Sequence, residues 1–145
     1  MTDGPALLYL DTSALARLYT AEPGHERVRA EVEAFPDLAA HLITYTELRA
    51  ALASRLARKL LRRRDYGAAL GAFEADWGTF TRIAVNEALV RDAGSLAEKH
   101  GLRAYDAVHL ASARTLRPLG VRFMTFDAAL LRAAEVELPN MVVRP

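Results

Sequence analysis

Four acidic residues share one kind of position in the sequence. Each lies where a predicted β-strand passes into a helix, or in the first turn of a helix, and they are Asp11, Glu47, Asp106 and Asp127. In a parallel α/β protein such positions converge on the crevice at the carboxyl ends of the strands, where ligands bind. Four carboxylates meeting there would repel one another strongly unless a cation or shared protons neutralised them. The pattern therefore indicates metal-assisted chemistry.

The remaining residue types limit which metal such a site could hold. The chain has no cysteine, and its four histidines (His25, His41, His100 and His109) show no metal-binding spacing such as HExxH. The ligands must then be mainly oxygen atoms, which favours magnesium or manganese over zinc.

The apolar pattern predicts short strands separated by helices throughout. We expect strands at Ala6–Leu10, His41–Thr44, Phe80–Val85 and Val121–Thr125, with Met141–Val143 as a last edge strand. Helices are expected after Asp11, over His25–Ala34, from Tyr45 into an arginine-rich stretch, over Tyr66–Trp77, from the Asn86 cap to Lys99, over Arg103–Leu116, and from Asp127 to about Ala134. This order predicts a three-layer α/β/α domain with a central, mostly parallel sheet of four to five strands.

Size and composition are those of one globular domain over residues 1–145. The hydrophobic fraction is 52% and the charged fraction is 26%, which is typical of soluble proteins. No apolar run reaches the roughly 20 residues that a membrane span needs, and the N-terminus lacks the basic region of a signal peptide. The absence of cysteine agrees with a cytoplasmic location.

Each acid also has an ordinary structural interpretation as a helix cap. Asp11 and Asp127 are natural N-caps, and Glu47 ends Thr44-Tyr45-Thr46-Glu47, a capping-box pattern. Asp106 is the strongest argument against caps alone, because it lies in a stripe of small residues where burying a lone charge is costly. His109, three residues further on, is interpreted first as a core histidine and second as a group that orients a carboxylate.

A basic stretch from Arg49 to Arg64 indicates the kind of substrate. It contains seven basic residues, six of them arginine, and no acid occurs from Leu48 through Arg64. Arginine suits bidentate contact with phosphate. Beside a carboxylate site, this stretch favours a polyanionic substrate over a merely solvated helix face.

Four segments together resemble one family. The DTSAL segment after the first strand, the TYTEL segment, HGLRAYDAVHLASA and FMTFDAALLRAA are similar to PIN-domain proteins, specifically the VapC-type toxin ribonucleases of type II toxin–antitoxin systems. The resemblance covers essentially the whole chain in the right order, and HGLRAYDAVHLA is its most specific part. It implies a PIN-like fold and an endoribonuclease.

Carried over residue by residue, the resemblance implies that Asp11, Glu47, Asp106 and Asp127 are the catalytic and metal-binding residues. Supporting hydroxyl groups are expected from Thr12, Ser13 and Thr125. The resemblance also implies a small VapB-like antitoxin that blocks the site, and a homodimer.

The expected reaction is magnesium- or manganese-dependent cleavage of RNA by a metal-activated water. Arg49, Arg55 and Arg58 are the candidates for contact with the RNA backbone. Two alternatives stay open: a non-catalytic binding module in which the acids are caps, and a small-molecule phosphohydrolase. The second usually needs a covalent aspartate in a DxD-like motif, whereas position 13 is Ser13.

Overall fold

A computed structural model describes residues 4–145. Its five strands are β1 (Leu7–Leu10), β2 (Asp37–His41), β3 (Thr81–Ile83), β4 (Val121–Met124) and β5 (Val142–Val143). They form one sheet in the order β3-β2-β1-β4-β5, and every neighbouring pair is parallel. The expected parallel sheet of four to five strands is confirmed.

Within residues 4–145, seven α-helices and one short 3-10 turn connect the strands. The helices are α1 (Thr12–Tyr19), α2 (His25–Glu33), α3 (Ile43–Ala57), α4 (Arg63–Trp77), α5 (Glu87–His100), α6 (Ala104–Thr115) and α7 (Ala128–Glu137), and the 3-10 turn is Arg117–Leu119. None of the helices in the described part of the chain is long and apolar enough to cross a membrane.

Side chains of the central strand alternate between two cores, as the two-residue period of a strand requires. Leu7 and Tyr9 belong to one core, which α5, α6 and α7 cover. Leu8 and Leu10 belong to the other, which includes residues of α1, α3 and α4. All four residues are at most 4% exposed. Helices therefore cover both faces of the sheet, which confirms the three-layer α/β/α architecture.

The sheet order places a topological switch point beside β1. From β1 the chain runs outward through β2 to β3, and it then returns to the opposite side of β1 to form β4 and β5. In an open α/β sheet, the crevice between strands whose connections leave in opposite directions is where ligands bind. Here that crevice lies at the carboxyl ends of β1 and β4.

The first strand begins one residue later than expected, at Leu7, and the third is Thr81–Ile83, shorter than the expected Phe80–Val85. Two other boundaries differ more. The second strand is Asp37–His41 and not His41–Thr44, because α3 already begins at Ile43, with Leu42 as its N-cap residue. The strand was missed because its core residues, Ala39 and Ala40, have low β propensity. The helix of the TYTEL segment accordingly begins earlier than expected.

The break in the arginine-rich stretch also lies earlier than Asp65. Helix α3 ends at Ala57, Lys59 takes a left-handed conformation with a φ of 61°, and α4 begins at Arg63. Leu60 continues the apolar spacing of α3 but is 65% exposed. The basic residues therefore extend over two helices and the turn between them.

Other expected features are confirmed. Asn86 caps α5 by accepting a hydrogen bond from the backbone N–H of Leu89 at 2.9 Å. Gly101 ends the same helix with a φ of 66°, in the left-handed region that favours glycine. The edge strand Val142–Val143 pairs with β4.

Candidate active site

Asp11 lies at the switch point, directly after the central strand. It is 3% exposed, and its backbone N–H bonds the carbonyl of Met124 at the end of β4. Its Oδ1 accepts hydrogen bonds from Ser13 Oγ at 2.7 Å and from the backbone N–H of Ala14 at 2.9 Å. Its Oδ2 accepts one from Thr125 Oγ1 at 2.6 Å. The carboxylate is thus held by groups that follow both β1 and β4.

Burial and hydrogen bonding act on Asp11 in opposite directions. Burial raises the pKa of the Asp11 carboxyl, and the bonds from Thr125 and Ser13 and the nearby His109 only partly offset this. The net pKa lies above the ordinary aspartate value. A positive charge nearby would therefore stabilise the ionised form.

Asp127 approaches the same place from the start of α7. Its Oδ1 caps the helix by accepting a hydrogen bond from the backbone N–H of Leu130 at 2.8 Å. Its backbone N–H bonds Thr125 Oγ1 at 3.0 Å, so one hydroxyl joins the Asp127 backbone to the Asp11 side chain. Asp11 and Asp127 each use Oδ1 as a helix cap. The Oδ2 atom of Asp11 contacts Thr125, and that of Asp127 contacts Arg103. Capping and a role in the site are therefore compatible.

Asp106 contributes the third carboxylate from the first turn of α6. Its side chain is 15% exposed, and its Oδ2 accepts a hydrogen bond from Arg103 Nε at 2.9 Å. The same guanidinium reaches Asp127 Oδ2 through Nη2 at 3.4 Å. Arg103 thus lies between two of the predicted acids.

These residues surround one open pocket of about 260 Å³. Its lining consists of Asp11, Thr12, Ser13, Arg17, Arg103, Asp106, Phe126 and Asp127. The structure therefore brings three of the four predicted acids to one cavity, together with two of the three predicted hydroxyl residues. The third hydroxyl, Thr125, is fully buried behind Asp11.

Glu47 lies behind this lining, in α3. Its Oε1 accepts hydrogen bonds from Thr12 Oγ1 and from His109 Nε2, each at 2.8 Å. The expected capping box is not formed, because the helix begins at Ile43 and its N-cap residue, Leu42, makes no side-chain cap bond. Glu47 is therefore held toward the pocket by neighbouring elements and does not cap its own helix.

A buried chain of hydrogen bonds extends from Glu47 into the core. His109 is 1% exposed, and its Nδ1 lies 2.7 Å from the hydroxyl of Tyr9. Burial raises the pKa of Tyr9 well above its ordinary value, so that the hydroxyl stays neutral. Burial also raises the pKa of Glu47, but the hydrogen bonds from His109 and Thr12 outweigh it and lower the pKa overall. His109 is thus both a core residue and a group that orients a carboxylate.

Two arginines of the pocket were missed by sequence reasoning. Arg103 and Arg17 both line the cavity, and Arg17 packs over the Phe126 ring at 4.1 Å from its centroid. Arg17 also bonds the carbonyls of Ser13 and Pro23. Arg103 had a local signal, because it lies three residues before Asp106 at a helix start. The position of Arg17 had none, since it depends on the packing of α1 against the segment after β4.

The three arginines predicted to contact RNA differ in their surroundings. Arg49 bonds Glu74 at 2.8 Å, and Arg55 pairs with Glu22. Arg58 follows the end of α3 and is exposed. Within residues 4–145 the Arg58 side chain forms no ion pair.

The chemistry of the pocket fits a hard divalent cation. Its acidic donors are all carboxylate oxygens, as magnesium and manganese prefer. A positive group already stands between Asp106 and Asp127, namely the Arg103 guanidinium. As placed, no three His, Asp or Glu side chains of residues 4–145 lie close enough to hold one ion. That leaves one or two carboxylates as direct ligands and water for the remaining positions, which is how proteins usually bind magnesium.

Comparisons with known proteins give the family. The PIN domain model matches residues 8–136. Ribonuclease VapC45 of Mycobacterium tuberculosis is 32% identical over 124 residues, which are 86% of this chain and 86% of that protein.

Two solved structures share the fold. The toxin VapC20 of Mycobacterium tuberculosis, described as cleaving the sarcin–ricin loop, has a TM-score of 0.67 at 22% identity, over 95% of this chain and 99% of that one. A toxin–antitoxin complex from Klebsiella pneumoniae gives a TM-score of 0.66 at 23% identity, over 97% of both chains. The expected resemblance is confirmed, and the chain belongs to the PIN-domain family, among its VapC-type members.

Proposed function

We propose that this protein is a metal-dependent endoribonuclease that acts as a VapC-type toxin. The observation that carries the proposal is the pocket at the β1/β4 switch point, where Asp11, Asp106 and Asp127 meet and Glu47 is held just behind. Membership of a family whose relatives are named ribonucleases supports the same conclusion.

The metal is proposed to be magnesium or manganese, held chiefly by Asp11 and Asp106. When bound, such an ion lowers the pKa of a water and stabilises charge on the attacked phosphate. Asp127 is proposed to complete a second, weaker metal position. Glu47 is proposed to act through a water or to take the proton of the attacking water.

The surrounding residues hold these carboxylates in place. Thr125 and Ser13 fix both oxygens of Asp11, and His109 and Thr12 fix one oxygen of Glu47. Because Oε1 of Glu47 is already bonded twice, the other oxygen, Oε2, is the one we assign to proton or water contact. A fixed geometry of this kind reduces the reorganisation needed to reach the transition state.

Arginines on the neighbouring surface are proposed to hold the RNA backbone. Arg49, Arg55 and Arg58 remain the candidates from α3, and Arg17 adds a guanidinium at the pocket itself. Arg49 and Arg55 are engaged with Glu74 and Glu22, so each must exchange a carboxylate for a phosphate to bind RNA. Arg58 can bind phosphate without breaking an ion pair in the described part of the chain.

We further propose the assembly and location of the protein. The fold shared with a toxin–antitoxin complex supports a VapB-like antitoxin that covers the site and inhibits cleavage. A homodimer and a cytoplasmic location are proposed with it. We also propose that residues 1–145 make one PIN domain, because strands from both ends of the chain pair in one sheet.

The test is cleavage of RNA by antitoxin-free protein under titration with magnesium and manganese. We expect cleavage that requires the metal and products with a 5′-phosphate and a 3′-hydroxyl, because water is the nucleophile. A substrate with a 2′-deoxy sugar at the scissile position should still be cut. Products with a 2′,3′-cyclic phosphate would contradict the mechanism, since they require attack by the ribose hydroxyl.

A further inference from the structure

Arg103 makes contacts that a local helix-end ion pair does not need. Its Nε bonds Asp106, three residues away in the same turn, at 2.9 Å. Its Nη2 reaches Asp127, which is 24 residues away at the start of another helix, at 3.4 Å. One guanidinium therefore joins two carboxylates that come from different elements and line the same pocket.

Arg103 contacts one carboxylate oxygen of Asp106 and one of Asp127 that a metal could also use. Asp127 Oδ1 is occupied by its helix cap, and Oδ2 is the atom that Arg103 contacts. Asp106 likewise presents Oδ2 to the guanidinium. An arriving cation thus meets a positive charge and two hydrogen bonds at the same atoms.

The exposed fractions of the three side chains show which of them can move away from this contact. The Arg103 side chain is 79% exposed, whereas Asp106 is 15% and Asp127 is 31% exposed. The carboxylates are anchored in the pocket wall, and the arginine reaches them from the solvent side. Its long side chain can move outward without uncovering the core.

We propose that Arg103 is an internal counter-ion that competes with the divalent metal for Asp106 and Asp127. It neutralises the two carboxylates when no metal is bound and must withdraw from them when a metal enters. This inference rests on the proposed function, because it concerns the same site. It assigns Arg103 a role in setting metal affinity, which the acids alone do not explain.

Metal binding tests the proposal directly and does not depend on RNA cleavage. Binding of Mn²⁺ is measured by electron paramagnetic resonance or calorimetry for the wild type, Arg103→Gln and Arg103→Lys. Removing a positive charge a few ångströms from a divalent ion should tighten binding by about tenfold, because it removes Coulomb repulsion between the two cations in a water-like dielectric. Arg103→Lys keeps the charge and should stay closer to the wild type.

A matched control is Arg91→Gln. Arg91 is as exposed as Arg103, but among residues 4–145 it pairs only with Glu87 in α5, away from the pocket. The Arg91→Gln variant should bind Mn²⁺ with wild-type affinity. Thermal unfolding adds a second readout. In EDTA, Arg103→Gln should have a lower melting temperature than the wild type. Saturating Mn²⁺ should raise the melting temperature of Arg103→Gln by more than that of the wild type.

The outcomes separate this proposal from the proposed function. Equal or weaker Mn²⁺ binding by Arg103→Gln, with clear binding by the wild type, overturns the competition and leaves the nuclease proposal in place. Failure of both proteins to bind Mn²⁺ or Mg²⁺ at millimolar concentrations overturns the metal-dependent function itself, and the competition with it. The counter-ion role is supported if Arg103→Gln binds Mn²⁺ more tightly than the wild type and Arg91→Gln does not.

Discussion

His109 Nε2 lies 2.8 Å from Glu47 Oε1, and this contact joins the protein core to the acidic pocket. A carboxylate only accepts hydrogen bonds while it is ionised, so the proton of this contact resides on Nε2. The neutral Tyr9 hydroxyl can then donate to Nδ1 at 2.7 Å, which fixes the tautomer and the orientation of the ring. The position of Glu47 therefore depends on a tyrosine in the central strand.

Loss of the His109 ring should weaken metal binding as well as stability. His109→Leu removes both hydrogen bonds and deprives the buried Tyr9 hydroxyl of its acceptor, which should cost about 1–3 kcal/mol of unfolding free energy. Outer groups that orient metal ligands are worth about 10–100-fold in affinity. Chemical denaturation and Mn²⁺ calorimetry measure the two effects. His25→Leu is the control at a position outside the pocket, and wild-type Mn²⁺ affinity in His109→Leu would refute the positioning role.

Removal of one hydroxyl tests the same chain of hydrogen bonds more gently. Tyr9→Phe keeps the ring in the core but deprives His109 Nδ1 of its donor, so the preference for a proton on Nε2 should weaken. We expect a loss of about 1–3 kcal/mol in stability and a reduced rate of RNA cleavage. Tyr19→Phe is the matched control, because its hydroxyl bonds Asp76 at 2.7 Å and not a pocket residue. If both variants cleave RNA equally, Tyr9 has no part in orienting the site.

Gly24 should tolerate no side chain, because it packs against the ring of Phe126, which lines the pocket. Its φ of 96° is unfavourable for other residues, and an added Cβ would lie 2.5 Å from Phe126 Cε2. Gly24→Ala should lower the unfolding free energy by about 1–3 kcal/mol and displace the ring on which Arg17 packs. Gly71→Ala, in the exposed interior of α4 with open space around it, should instead stabilise by about 0.5–1 kcal/mol. Thermal denaturation of the two variants should therefore shift in opposite directions.

An ion-pair cluster around Glu137 should make stability depend on acid pH. Hydrogen bonds from Lys99 and His100 lower the pKa of Glu137, and Arg114 contributes further. Because the folded pKa is depressed, the stabilisation is present above the ordinary glutamate pKa and is lost as the pH falls through the folded pKa.

Glu137→Gln should therefore be less stable than the wild type at pH 7, and the difference should shrink below about pH 4. Urea denaturation from pH 7 to pH 3 measures this difference in unfolding free energy. Glu98→Gln, an exposed change in α5, is the control and should show no such pH dependence. A stability difference that stays constant over this range would show that Glu137 acts by packing and not by charge.

Local sequence patterns predicted most of the fold. Apolar runs located β1 and β4, and the Asn86 and Gly101 signals bounded α5, because those features depend on neighbouring residues alone. The errors arose where tertiary packing overrode propensity. Ala39 and Ala40 form strand because β2 lies between β1 and β3 and pairs with both. The turn at Lys59 lacks a glycine or proline that would have marked it.

The candidate site was predictable in part for a related reason. Acids that follow strands in a parallel sheet converge by topology, so Asp11 and Asp127 could be placed together from sequence. The contacts of Arg103 with Asp127, and of His109 with Glu47, join residues far apart in the chain. Their geometry depends on how the start of α6 is placed relative to α3 and α7, which local patterns do not specify.

The most direct test of the account compares Asp106→Asn with Asp92→Asn in a metal-dependent RNA cleavage assay. Both changes replace a carboxylate with an amide in a helix, but Asp106 lines the pocket whereas Asp92 pairs with Arg114 in another part of the surface. The account predicts that Asp106→Asn stays folded and loses cleavage at every magnesium or manganese concentration, while Asp92→Asn cleaves like the wild type and leaves 5′-phosphate ends. Wild-type cleavage by folded Asp106→Asn would contradict the four-carboxylate site.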